Sequence, residues 1–149
     1  MNKHNAEGYP NPTAYEALCA VAREEKEAAK ARYRPLVYVC SPFSGDIEGN
    51  TKKAIGYCRF AVDYGAIPLA PHLLFPRFMN EDTERDLAMF MDMVLLGRCE
   101  EVWVFGETIS AGMRAEIDRA EKKHKPVRYF TTDLTERASA PGKETICEN

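Results

Sequence analysis

Leu36–Cys40, LVYVC, runs straight into Ser41–Asp46, SPFSGD, and this stretch decides the fold. Its five apolar residues lie between Pro35 and Pro42 and read as a short buried strand that empties into a turn-rich loop. Outward from it the same alternation repeats. Asn50 or Thr51 to Tyr64 carries Ala54, Tyr57, Cys58, Ala61 and Val62 at helical spacing, with Gly65 as the stop. Ala66–Ala70 (AIPLA) is a second strand, weakly paired because of Pro68. PHLLFPRFMNED is a long loop, Thr83–Arg98 a helix, Glu101–Phe105 (EVWVF) a third strand, Ser110 to about His124 a helix, and Pro126–Phe130 (PVRYF) the last strand. Strands alternating with helices predict an α/β fold in three layers around a mainly parallel sheet, of Rossmann or flavodoxin type.

The flanks differ in composition. Residues 1–12 hold Gly8, Pro10 and Pro12 and are expected to form a flexible arm. Residues 13–34 are rich in Ala, Glu, Lys and Arg and predict an extra N-terminal helix, with Thr13 and Glu16 as a capping box and Tyr15, Leu18, Cys19 and Ala22 on one face. Residues 35–131 form the α/β domain, and the polar tail 132–149 is expected to be disordered.

At 149 residues, 45% hydrophobic and 29% charged, the chain fits one domain with a packed core. A net charge of −3 supplies no general attraction to nucleic acid polymers or anionic membranes. No apolar run reaches the length of a membrane span, and the first residues lack a secretory signal. Five dispersed cysteines without a C-x-x-C pair suit a reduced cytoplasm.

In parallel α/β sheets ligands bind outside the carboxyl ends of the strands, so the loops after Cys40, Ala70 and Phe105 should converge. The first, Ser41-Pro42-Phe43-Ser44-Gly45-Asp46, suits a small polar ligand with one flat face; an ordinary turn is the alternative. Neither common phosphate-loop pattern is present. Asp92 is a lone carboxylate in the apolar run LAMFMDMVLL, which points to a cavity or, alternatively, to a narrow solvent stripe near Arg85 and Arg98. Glu116 follows Ser110, a candidate N-cap, by six residues; free amides near Gly112 could hold a ligand, and a plain surface carboxylate is the alternative. His72 sits on the second loop. There is no Ser-His-Asp set and no His/Cys cluster, so neither a metal nor another cofactor is called for.

Taken together, these motifs resemble the nucleoside 2-deoxyribosyltransferase-like superfamily, which includes the deoxyribonucleoside 5′-monophosphate N-glycosidases. Tyr38-Val39-Cys40-Ser41-Pro42-Phe43-Ser44-Gly45 is similar to the family's opening strand and loop. Asp92 stands upstream of Cys99–Val104, with Glu100 where the family usually has Asp. Ser110-Ala111-Gly112-Met113-Arg114-Ala115-Glu116 is similar to its S/D-x-G-x-x-x-E signature. The N-terminal helix is additional, and the first loop lacks the arginine that the monophosphate glycosidases place near the phosphate.

The resemblance implies cleavage or transfer of an N-glycosidic bond in a nucleoside or nucleotide. Glu116 would be the nucleophile, Tyr38 its orienting partner and Asp92 the group that serves the leaving base. Ser41, Pro42, Phe43, Ser44, Gly45, His72, Ser110, Gly112 and Met113 would bind substrate, with Phe43 against the base. A non-catalytic nucleotide-binding or sensing module on the same scaffold is the alternative. The resemblance also implies a homo-oligomer. The apolar loop Leu73–Met79 or its neighbouring helix, with the N-terminal helix as a second face, is expected at a two-fold contact close to the site, and a monomer whose loop folds back over its own core is the alternative.

Overall fold

The computed structural model describes residues 12–141, which divide into two units between Tyr33 and Arg34. The first unit is helix α1 (Pro12–Arg32). Pro12 already lies inside it, where a missing N–H costs little, so Thr13 belongs to the first turn and does not cap the helix as expected. Tyr15, Leu18 and Val21 are exposed.

The second unit is the α/β domain. Its elements run β1 (Leu36–Cys40), α2 (Ile47–Tyr64), β2 (Ile67–Leu69), two short 3-10 turns (Pro71–Leu73 and Phe75–Arg77), α3 (Arg85–Arg98), β3 (Glu101–Phe105), α4 (Ala111–Lys122), β4 (Val127–Phe130) and β5 (Glu136–Arg137). The sheet order is β2-β1-β3-β4-β5, parallel except for the last pair. β1 pairs with β3 from Val37 opposite Glu101 to Cys40 opposite Val104. The chain therefore changes direction across the sheet between β1 and β3, and their carboxyl ends flank the crevice where such folds bind ligands.

The pleat divides the core. Val37, Val39, Trp103, Phe105 and Phe130 face α2, where Tyr57 stacks on Phe105 at 4.4 Å between ring centroids. Tyr38, Cys40, Val102 and Val104 face the other way, against Leu96 of α3 and Met113, Ile117 and Ala120 of α4. The expected three-layer fold is the observed one.

Several boundaries move. Helix α2 begins at Ile47, before Asn50, because the Asp46 side chain caps it by accepting from the Gly49 amide at 3.1 Å. Gly65 ends it at φ 104°, a left-handed backbone that favours glycine. β2 has three residues and pairs on one side only, as Pro68 suggested. The long loop is not featureless: its two 3-10 turns bury Phe75 and pack Leu73 against the core, leaving Leu74 and Phe78 exposed.

The tail also departs from expectation. Residues 136–137 pair antiparallel with β4, and Ala140 is buried. Arg128 holds this hairpin: its guanidinium meets both Glu136 oxygens at 2.8 Å while lying over the rings of Tyr64, Trp103 and Phe130. Residues 1–11 and 142–149, most of the expected arm and the end of the tail, lie outside the described residues. Among the described residues, no helix is long and apolar enough to cross a membrane.

Candidate functional site

A cleft of about 320 Å³ opens at the carboxyl ends of β1 and β3, on the α3–α4 side of the sheet. Three elements bring its chemistry together. Strand β1 sends Tyr38 through the pleat toward α4. The Ser110 side chain caps α4 by accepting from the Met113 amide at 3.2 Å, as the sequence suggested, and this sets Glu116 in the second turn. Helix α3 places Asp92 on the cleft wall.

The Tyr38 hydroxyl donates to Glu116 Oε1 at 3.1 Å. Tyr38 is 1% exposed, and burial followed by the neighbouring carboxylates pushes its pKa well up, so it stays a donor at ordinary pH. Beneath it, the buried Cys40 thiol lies against Glu116 and donates to the Met113 carbonyl at 3.9 Å. Burial lifts the Glu116 carboxyl from 4.5 to about 7; the negative Asp92 adds to the rise, while the Cys40 and Tyr38 hydrogen bonds oppose it. Asp92 rises from 3.8 to about 6, first through burial and then through Glu81. Its Oδ1 is buried and has no hydrogen-bond partner among the described residues, which places it on the cleft rather than on the solvent stripe that was its alternative.

Ser41 and His72 form the opposite wall, with Ser41 Oγ 3.0 Å from His72 Nε2. Burial lowers the His72 pKa to about 4, so the ring is neutral, and the Phe43 ring stands tilted beside it at 6.0 Å. Ser44, Ser110, Gly112 and Met113 complete the expected lining. Open space lies beside Gly112, where a Cβ would meet nothing within 4 Å. The Met113 amide is already taken by Ser110 and its side chain is 2% exposed, so Met113 acts as wall.

Two expected residues fall elsewhere. Pro42 turns to the far side of the loop and lines a separate cleft with Asn50, Lys53 and Tyr57. Gly45, at φ 93°, turns the backbone into the Asp46 cap and does not reach the cleft. Glu100 is remote as well: it accepts from the Leu36 amide at 3.0 Å, at the amino end of β1.

The sequence reading missed Arg85, the lone cation among the described lining residues, together with Glu81, Met89 and Met93. The signal existed. Arg85, Ala88, Met89 and Asp92 are spaced i, i+3, i+4, i+7 and share one face of α3.

Residues 35–130 match a family described as a domain of unknown function, DUF7768. The chain belongs to the DUF7768 family. No curated protein matches it significantly. Among solved structures, this DUF7768 chain is similar to a 2-deoxyribosyltransferase from the psychrotolerant bacterium Bacillus psychrosaccharolyticus. The two are 19% identical, with 64% of this chain and 71% of that one covered and a TM-score of 0.51. At that identity the likeness concerns the fold, and it agrees with the α/β arrangement described above.

Proposed function

We propose that the DUF7768 cleft breaks, or transfers across, the N-glycosidic bond of a nucleoside or nucleotide, with Glu116 as nucleophile. The observation that carries this reading is the meeting of two partly buried carboxylates, Glu116 and Asp92, at one cleft, with Tyr38 hydrogen-bonded to the first. The likeness to a 2-deoxyribosyltransferase supports the choice of substrate.

The pair suits the chemistry. With pKa values of about 7 and about 6, both groups titrate near neutral pH, where Glu116 holds the proton more tightly than Asp92. The reactive form carries the charge on Glu116 and the proton on Asp92; positive charge developing on the sugar carbon favours it, and so does the Tyr38 donor. Glu116 then bonds to the anomeric carbon as the C–N bond breaks, and Asp92 protonates the departing base. Water, or a second base, attacks the same carbon, breaks the ester and restores the Glu116 carboxylate. Because Ser110, Ala111 and Gly112 at the mouth are exposed, water reaches the site and hydrolysis is the expected outcome without a second base. The Phe43 ring, tilted beside neutral His72, offers an aromatic face for the base, and Arg85 offers a countercharge for a 5′-phosphate.

The test is product analysis. The chain is incubated with the common nucleosides and their 5′-monophosphates, and free base is measured by chromatography. Base release by the natural sequence and none by Glu116→Gln is expected. Failure to release base from every compound, with nucleotides still raising the melting temperature, would overturn catalysis in favour of a binding module.

A further inference from the structure

A second cleft, of about 270 Å³, opens at the carboxyl end of the sheet on the α2 side. The loops after β1 and β3 separate it from the first. Pro42 faces it while Ser41, Phe43 and Ser44 face the first cleft; Glu107 and Thr108 face it while Ser110 faces the first. The Asn50 side chain fixes this partition by donating to the Phe43 and Ser44 carbonyls, both at 3.2 Å.

Two polar groups here have no use within the fold. Tyr57 is 4% exposed and its ring stacks on Phe105, yet its hydroxyl has no hydrogen-bond partner among the described residues. That oxygen is not sealed in the core either, so it opens to the cleft that its residue lines. Burial, and then Glu107, raise its pKa, which keeps it a donor. Lys53 is the second group. It is the lone cation among the described lining residues and has no ion pair among them, whereas its neighbour Lys52 pairs with Glu48. Asn50, Lys53 and Tyr57 are spaced i, i+3, i+7 and share one face of α2. Glu107 comes from the loop after β3, and its charge is already offset: Arg137 meets its Oε2 at 3.4 Å, and its Oε1 accepts from the Thr132 amide at 3.4 Å.

We propose that this second cleft binds a small organic anion that carries hydroxyl groups, with its phosphate or carboxylate on Lys53 and Tyr57 and a hydroxyl on Glu107. An ammonium and a phenol hydroxyl both donate, so the group that satisfies them together is an oxyanion. Glu107 only accepts, so its partner must donate, and a hydroxyl does so without a further charge. Pro42 and the Tyr57 ring give the carbon skeleton an apolar surface. The volume lies just under the range of about 300–1,000 Å³ that suits drug-sized ligands, which limits the occupant to a small metabolite. The inference does not depend on the chemistry proposed for the first cleft.

NMR titration of the isotope-labelled full chain tests it, with glycerol 3-phosphate, glycerate and glycerol as probes. The two anions share a skeleton, so they distinguish a phosphate from a carboxylate, and glycerol lacks the charge. At least one anion should bind with a Kd of about 1 mM or tighter and shift the amides of Lys53, Tyr57, Glu107 and Thr108. Lys53→Gln, and separately Tyr57→Phe, should each weaken that binding about tenfold. Lys53 is exposed, and Tyr57→Phe keeps the ring on Phe105 while losing a hydroxyl that has no partner, so both variants should melt with the natural sequence. The site is refuted if neither anion moves these amides at about 10 mM, or if the shifts are confined to the first cleft around Ser110 and Gly112. Equal binding of glycerol, or undiminished binding by both variants, would overturn it as well.

Discussion

Replacing Glu116 with Gln should stabilise the domain above neutral pH and change little in mild acid. The reasoning is linkage. The carboxyl titrates at about 7 when folded and at 4.5 when free of the fold, so the folded chain holds its proton more tightly. The contribution of this group to stability is fully present below 4.5, mostly present at pH 5, and lost as pH rises through 7. From 4.5 to about 7, at about 1.4 kcal/mol per unit, the loss comes to roughly 3 kcal/mol. The cleft is open to solvent, which screens the charge and brings the figure to about 2 kcal/mol. Glutamine is neutral at every pH and can still accept from Tyr38, so it escapes the loss while filling the same space.

Urea unfolding at pH 5 and pH 8 measures this directly. With a slope of about 1.5–2 kcal/mol per molar, 2 kcal/mol moves the midpoint by about 1 M. The natural sequence should lose that much more than the variant between the two pH values. The comparison is a difference of differences, so any loss from Asp92 or other groups largely cancels. If the variant and the natural sequence keep the same gap in midpoint at pH 5 and pH 8, Glu116 is not the buried, proton-holding carboxyl described here, and its proposed role falls with it.

Two further outcomes bear on the site. Tyr38→Phe removes the 3.1 Å hydrogen bond that favours the Glu116 anion, so the acid limb of the kcat/KM profile should move to higher pH and activity at pH 6 should fall about tenfold; an unmoved limb would deny the contact a role. Arg85→Ala should raise KM for 5′-monophosphates about 10- to 100-fold and leave that for nucleosides unchanged, and equal effects on both would place the phosphate elsewhere.

How much of this was legible in the sequence depended on whether a feature repeats with a period. The alternation in LVYVC and EVWVF carries the sheet, and it also puts Tyr38 and Cys40 on the α4 side while Val39 and Trp103 face α2. Ser110 as a cap fixes where α4 begins, hence where Glu116 stands, and an acid in LAMFMDMVLL had few places to go. Loops carry no such period. Whether Pro42 or Phe43 turns to the cleft depends on the backbone path between Cys40 and Asp46, and Gly45 serves that path rather than a ligand. The β5 hairpin was hidden for another reason: Glu136–Arg137 has no strand propensity of its own and is held by Arg128, whose position over three aromatic rings exists only once the sheet has formed.

Arg85 marks the boundary between the two cases. Its spacing from Asp92 was readable, yet a helix with apolar residues on every side gives no contrast by which to tell its cleft face from its outer face. Reading the helix alone, Arg85 and Arg98 together suggested a solvent side. In the fold, Arg85 shares the cleft face with Asp92, and the side open to solvent is instead the stripe Leu87–Phe90–Val94. The ambiguity in the sequence and the uncovered face in the structure have one origin. With Leu87, Phe90 and Val94 on its solvent side the helix has no polar face to set against its apolar one, and Arg85 and Asp92, two of its charges, stand on the cleft.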